Sequence, residues 1–105
     1  MNPQFKKGIV DIVILNCLKD SDSYGYELVK TISEYVNVKE STIYTSLRKL
    51  TNLDFLSTYD KESKDGPKRK YYKITPSGTK KLSDLKKEWN DFKTNIDYLL
   101  EDKDE

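Results

Sequence analysis

Residues Gly66–Gly78 read GPKRKYYKITPSG. A turn signal, Gly66-Pro67, leads into Arg69–Thr75, a run rich in tyrosine and β-branched residues that reads as a strand. Thr75-Pro76 then marks a helix start, with threonine as N-cap and proline at the first helical position, where a missing N–H costs nothing. Alternation along the strand puts Tyr72 and Ile74 on one face and Arg69, Tyr71 and Lys73 on the other. One face can close over a core while the other meets solvent or a ligand. Upstream, FLSTYD (Phe55–Asp60) supplies a pairing strand, and KESKDGPK between the two runs is predicted to be a long charged loop.

Downstream of the cap, Leu82, Leu85, Trp89, Phe92, Ile96 and Leu99 recur at spacings of three and four, an a/d seam. From Pro76 to Leu100 such a helix extends about 37 Å at 1.5 Å per residue. That outruns any domain the preceding residues can build, so the six seam residues are expected to form a dimer interface. The acidic tail EDKDE, Glu101–Glu105, is expected to fray.

Three helices are predicted before the strands. Phe5, Ile9, Ile12, Val13 and Leu15 form an apolar stripe between Pro3 and Leu18. Ser21, Asp22 and Ser23 offer N-caps for a second helix carrying Tyr24, Leu28, Ile32 and Tyr35. In STIYTSLRKLTNL (Ser41–Leu53), Ile43, Leu47 and Leu50 mark the buried side of a third helix, leaving Thr42, Thr45, Ser46 and Lys49 outward. Glycine at position 25, inside a predicted helix, is expected to accommodate either a close backbone approach or simple tolerance in the first turn.

Composition narrows the function. The chain has 105 residues and a formal charge of +1, which suits a single domain. The charge is not evenly spread: residues 39–83 hold 11 cations and 5 anions, while residues 84–105 hold 4 cations and 8 anions. A polyanion would be drawn to the middle of the chain. There is no histidine and only one cysteine, Cys17, which excludes an intramolecular disulfide and the usual zinc ligand sets. No phosphate-cradling loop or nucleophile–base pair is present, so an enzyme is not expected, nor is a cofactor. The short apolar run IVDIVIL is interrupted by Asp11, and no signal-peptide pattern opens the chain, so the expected location is the cytoplasm, with no membrane partner.

Helix, helix, helix and basic hairpin are the elements of a winged helix-turn-helix. Short polar groups on the third helix (Ser41, Thr42, Tyr44, Thr45, Ser46, Lys49) could approach base edges and phosphates of duplex DNA, and the hairpin adds Lys64, Lys68, Arg69, Lys70 and Tyr71. The segments YGYELVKTI (Tyr24–Ile32), STIYTSLRKL (Ser41–Leu50) and GPKRKYYKITPSG, followed by Trp89, resemble the PadR family of winged-helix transcriptional regulators. The resemblance implies a homodimeric repressor with one C-terminal dimerisation helix, Thr42 and Tyr44 at the DNA-facing start of the recognition helix, and Lys68, Arg69 and Lys70 in the wing. It implies also that a planar aromatic effector could lie near Trp89 and Phe92, as in relatives that bind flat aromatic drugs between such tryptophans. The sequence departs from the family at Leu53-Asp54-Phe55, where a glycine usually precedes the first wing strand, and at Pro67.

The expected architecture is therefore α+β: a winged helix-turn-helix over residues 1–75 and a dimerisation helix with acidic tail over 76–105. The expected function is a DNA-binding repressor acting on a pseudo-palindromic operator and relieved by a small effector. A winged-helix module that binds an acidic protein instead is the alternative.

Overall fold

The computed structural model describes residues 3–101, with side chains from Gly8 onward. The side chain of Phe5 and the tail beyond Glu101 lie outside the described residues. The order is α1 (Pro3–Cys17), β1 (Ser23–Tyr24), α2 (Gly25–Ser33), α3 (Glu40–Asn52), β2 (Leu56–Ser63), β3 (Gly66–Ile74) and α4 (Pro76–Leu100). The winged helix-turn-helix and the long C-terminal helix are both present.

One core joins the elements. Val10, Ile14, Leu15 and Leu18 from α1 meet Leu28 and Ile32 from α2, Ile43, Leu47 and Leu50 from α3, Leu56 from β2 and Leu82 from α4. Of the expected α1 stripe only Leu15 is fully buried; Ile9, Ile12 and Val13 are half-buried. The helix is apolar on two sides, one turned to the core and one toward α4.

The strands form an antiparallel sheet of order β1-β3-β2. Its first strand corrects the sequence reading: Ser23 and Tyr24, expected to open the second helix, pair instead with Tyr72 and Tyr71. The helix starts one residue later, and Ser23 Oγ reaches forward to Glu27 at 2.5 Å. Tyr35, expected on its buried stripe, lies beyond its end and is 85% exposed.

The hairpin corrects a second expectation. The pairing runs from Leu56↔Ile74 to Ser63↔Gly66, leaving Lys64 and Asp65 as the turn, so most of the expected loop is strand. Pro67, which lacks an N–H, falls where the register shifts between Lys61 and Ser63, a place in a sheet that tolerates proline.

The hinge between wing and last helix is tightly built. Thr75 caps α4 by accepting from Gly78 N–H at 3.0 Å, and its hydroxyl donates to the Asp54 carbonyl at 2.7 Å. Asp54 has φ 65°, the left-handed conformation that glycine favours and that aspartate tolerates better than most residues. The family's usual glycine is thus replaced without loss of the turn. Gly78 packs so closely that a Cβ there would lie 2.1 Å from the Phe55 carbonyl oxygen.

Candidate nucleic-acid interface

Along α3 the side opposite Ile43, Leu47 and Leu50 presents Ser41, Thr45 and Arg48 to solvent, with Thr42 and Tyr44 half-buried beside them. Ser46 is the exception among the expected contacts: at 4% exposure it belongs to the core side. A helix advances 100° per residue, which sets position 46 beside 43 and 50, and the small serine is tolerated there. Lys49 is also spoken for, since its Nζ pairs with Asp11 Oδ2 of α1 at 2.5 Å while the side chain stays 48% exposed.

α3, the wing and the segment around β1 enclose an open cleft of about 710 Å³. Tyr24, Gly25 and Tyr26 form one wall, Tyr44 and Arg48 of α3 a second, and Arg69, Lys70 and Tyr72 of β3 the third. Three cations and four tyrosines therefore converge where recognition helix and wing meet. Gly25 makes the wall possible: a Cβ there would approach Cε1 of Tyr44 to 2.6 Å. The close neighbour is thus an aromatic side chain, neither the backbone approach nor the simple first-turn tolerance that the sequence left open.

Two of the phenols in the cleft, Tyr44 and Tyr72, are held protonated. Burial pushes the hydroxyls of Tyr44 and Tyr72 above the usual tyrosine range; Glu40 adds to the rise at Tyr44, whereas Arg48 pulls Tyr72 back. At neutral pH both can donate a hydrogen bond to an anionic oxygen. Of the other expected contacts, Lys64 lies in the hairpin turn and Lys68 on the exposed part of β3. Tyr71 does not stand free: it stacks on Tyr59 at 5.6 Å and leans on Tyr24 at 5.5 Å between ring centres.

Sequence reasoning missed Arg48, Tyr26 and the short strand β1. Arg48 follows Tyr44 by four residues, one turn along the same face, and that spacing was the available signal. Tyr26 and β1 carried no local signal, because a two-residue strand exists only through its pairing with β3.

At the other end of the molecule, α4 divides. Leu82, expected in the dimer seam, is buried in the protomer's own core, and Leu85 packs against that core. Further along, Trp89 and Ile96 are half-buried, while Phe92 is 48% and Leu99 73% exposed. Trp89 and Phe92, 6.3 Å apart between ring centres, close an apolar hollow of about 300 Å³ with Ile9 and Ile12 of α1 and Leu85 and Glu88 of α4.

Residues 14–84 match the Transcriptional regulator PadR-like family. The chain belongs to the PadR family. A Streptococcus mutans protein of known structure, smu.1704, shares 41% identity over 90% of this chain and 88% of its own, with a TM-score of 0.83. A PadR-like transcriptional regulator from Bacillus cereus shares 32% identity over 95% of this chain and 99% of its own, with a TM-score of 0.84. An uncharacterised protein of Lysinibacillus sphaericus is 38% identical over 90% of this chain and 91% of its own length. As a PadR protein the chain is a DNA-binding transcriptional regulator rather than an enzyme. PadR membership and the long α4 with its open apolar seam together support a homodimer. Among the described residues no helix is long and apolar enough to cross a membrane.

Proposed function

We propose that this PadR protein is a homodimeric repressor. Each α3 would enter a major groove with Ser41, Thr42, Tyr44 and Thr45 toward base edges and phosphates, while Lys64, Lys68, Arg69, Lys70 and Tyr71 of the wing grip the adjoining backbone. Arg48 joins the phosphate contacts, Ser46 drops out, and Lys49 serves chiefly to hold α3 to α1. The observation that carries this reading is the cleft between α3 and β3, in which Arg48, Arg69 and Lys70 line one space with the protonated phenols of Tyr44 and Tyr72.

Leu85, Trp89, Phe92, Ile96 and Leu99 would meet their counterparts in the second copy, with residues 1–75 as the reading head of each protomer. Two-fold symmetry then calls for a pseudo-palindromic operator with half-sites about one turn apart, on the order of 10 bp. A planar aromatic effector seated by Trp89 and Phe92 would release the repressor by favouring a different separation of the two heads.

Selection of bound duplexes from a random pool tests this reading. Recovery of a two-fold symmetric sequence is the expected result; recovery of no duplex, with capture of an acidic protein instead, would return the chain to an interaction module. Planar cationic dyes should quench Trp89 fluorescence and lower affinity for the recovered duplex, and dyes without effect on either would remove the effector from the proposal.

A further inference from the structure

The outer face of the wing sheet carries an arrangement that pairing alone does not require. Lys61 on β2 stands directly opposite Arg69 on β3, two like charges at a cross-strand position where they repel. Both lean in the same direction across the sheet, Lys61 from β2 toward β3 and Arg69 from β3 toward β1. Lys61 Nζ lies 5.2 Å from the ring centre of Tyr71, and the Arg69 guanidinium carbon 4.5 Å from that of Tyr24. Tyr24 and Tyr71 are cross-strand partners, so each cation reaches diagonally to a tyrosine one strand over. Behind them Tyr59 completes the row, stacked on Tyr71 and donating its hydroxyl to Asp22 at 2.6 Å.

We propose that Tyr24 is a positioning residue for DNA binding: its ring holds the Arg69 guanidinium at the lip of the cleft beside Arg48 and Lys70, with Tyr71 and Tyr59 bracing Tyr24 from behind. The inference rests on the cleft being the backbone-gripping site, and it assigns a purpose to β1. Two residues of strand are enough to dock one tyrosine against β3, and from there the ring face is presented to a side chain two positions along. A freely rotating arginine loses rotamer freedom when it contacts a phosphate; one already held on a ring loses less. Lys68, on the exposed part of β3, supplies charge.

The test compares full-length wild type, Tyr24→Phe, Tyr24→Leu, Arg69→Met and the Tyr24→Leu/Arg69→Met double variant on the duplex recovered by selection. Tyr24→Phe keeps the ring and should bind within about two-fold of wild type. Tyr24→Leu should weaken binding about two- to five-fold per subunit, on the order of ten-fold for the dimer. The double variant should bind no worse than Arg69→Met alone, because the leucine acts only through the arginine. In the DNA-free protein, the Arg69 δ-protons should show an upfield ring-current shift in wild type and Tyr24→Phe that Tyr24→Leu abolishes. Additive losses in the double variant, or a Tyr24→Phe as weak as Tyr24→Leu, would overturn the positioning role. So would wild-type affinity in Tyr24→Leu, which leaves the DNA-binding reading intact. If wild type itself recovers no duplex, the reading and the inference fall together.

Discussion

Gly78 has no space for a methyl group and Gly25 has space only if a ring moves, and the two substitutions should separate stability from function. A Cβ at Gly78 meets backbone, the Phe55 carbonyl at 2.1 Å, so Gly78→Ala should cost about 2–3 kcal/mol in denaturant unfolding. At Gly25 the obstacle is the Tyr44 ring, which can rotate away. Gly25→Ala should therefore lower the melting temperature little while weakening duplex binding several-fold, since it displaces Tyr44 from the cleft. The tyrosines set a pH dependence with a definite sign. Burial raises Tyr44 and Tyr72, and a hydrogen bond to Asp22 raises Tyr59, so the folded chain holds these protons more tightly than the unfolded chain. Stability from them is fully present below the unfolded value of about 10 and is lost as pH rises through the folded values. With no histidine in the chain, melting from about pH 6 to 8 should be nearly flat; above that, the Cys17 thiol, pushed up by burial, begins the fall, and the tyrosines steepen it above about 10. Tyr72→Phe should make that alkaline fall shallower.

Elements show how far local pattern carries and where it stops. The cap at Thr75, the α3 core stripe and the two faces of β3 were legible because each depends on neighbours within a turn or a pleat. β1 was not, because its partner strand lies almost fifty residues away and two residues hold no period. Ser46 and Leu82 were misplaced for a related reason: a polar residue on a helix reads as outward, and a leucine in a long seam reads as part of that seam, until neighbouring elements claim them. Lys49 likewise looked free, yet Asp11 is only 16% exposed at its side chain and Lys49 is its cation. Lys49→Met should leave that carboxylate without its partner and cost about 1–2 kcal/mol in unfolding, with little change in the salt dependence of DNA binding. Arg48→Met should do the reverse, and Thr45→Ala should weaken duplex binding with little change in stability or in the salt slope.

At the scale of the whole molecule, the chain measures 64 × 27 × 21 Å, a head with a projecting helix. The projecting half of α4 leaves Phe92, Leu99 and Leu100 uncovered, more apolar surface on one helix than a lone copy has reason to expose. Leu99→Asp with Phe92→Asp should shift the mass in sedimentation equilibrium from twice that of the chain toward a single copy, without unfolding the head, whose core ends at Leu82. Such a monomer should bind a single half-site weakly and lose the two-fold site. The central claim, that the cleft between recognition helix and wing grips the DNA backbone in a dimer, is tested most directly by duplex affinity as a function of salt. About four phosphate contacts per subunit give a log–log slope near −7 for the wild-type dimer, and Arg48→Met should reduce its magnitude by about two. A flat salt response, or an Arg48→Met slope equal to that of wild type, would contradict it.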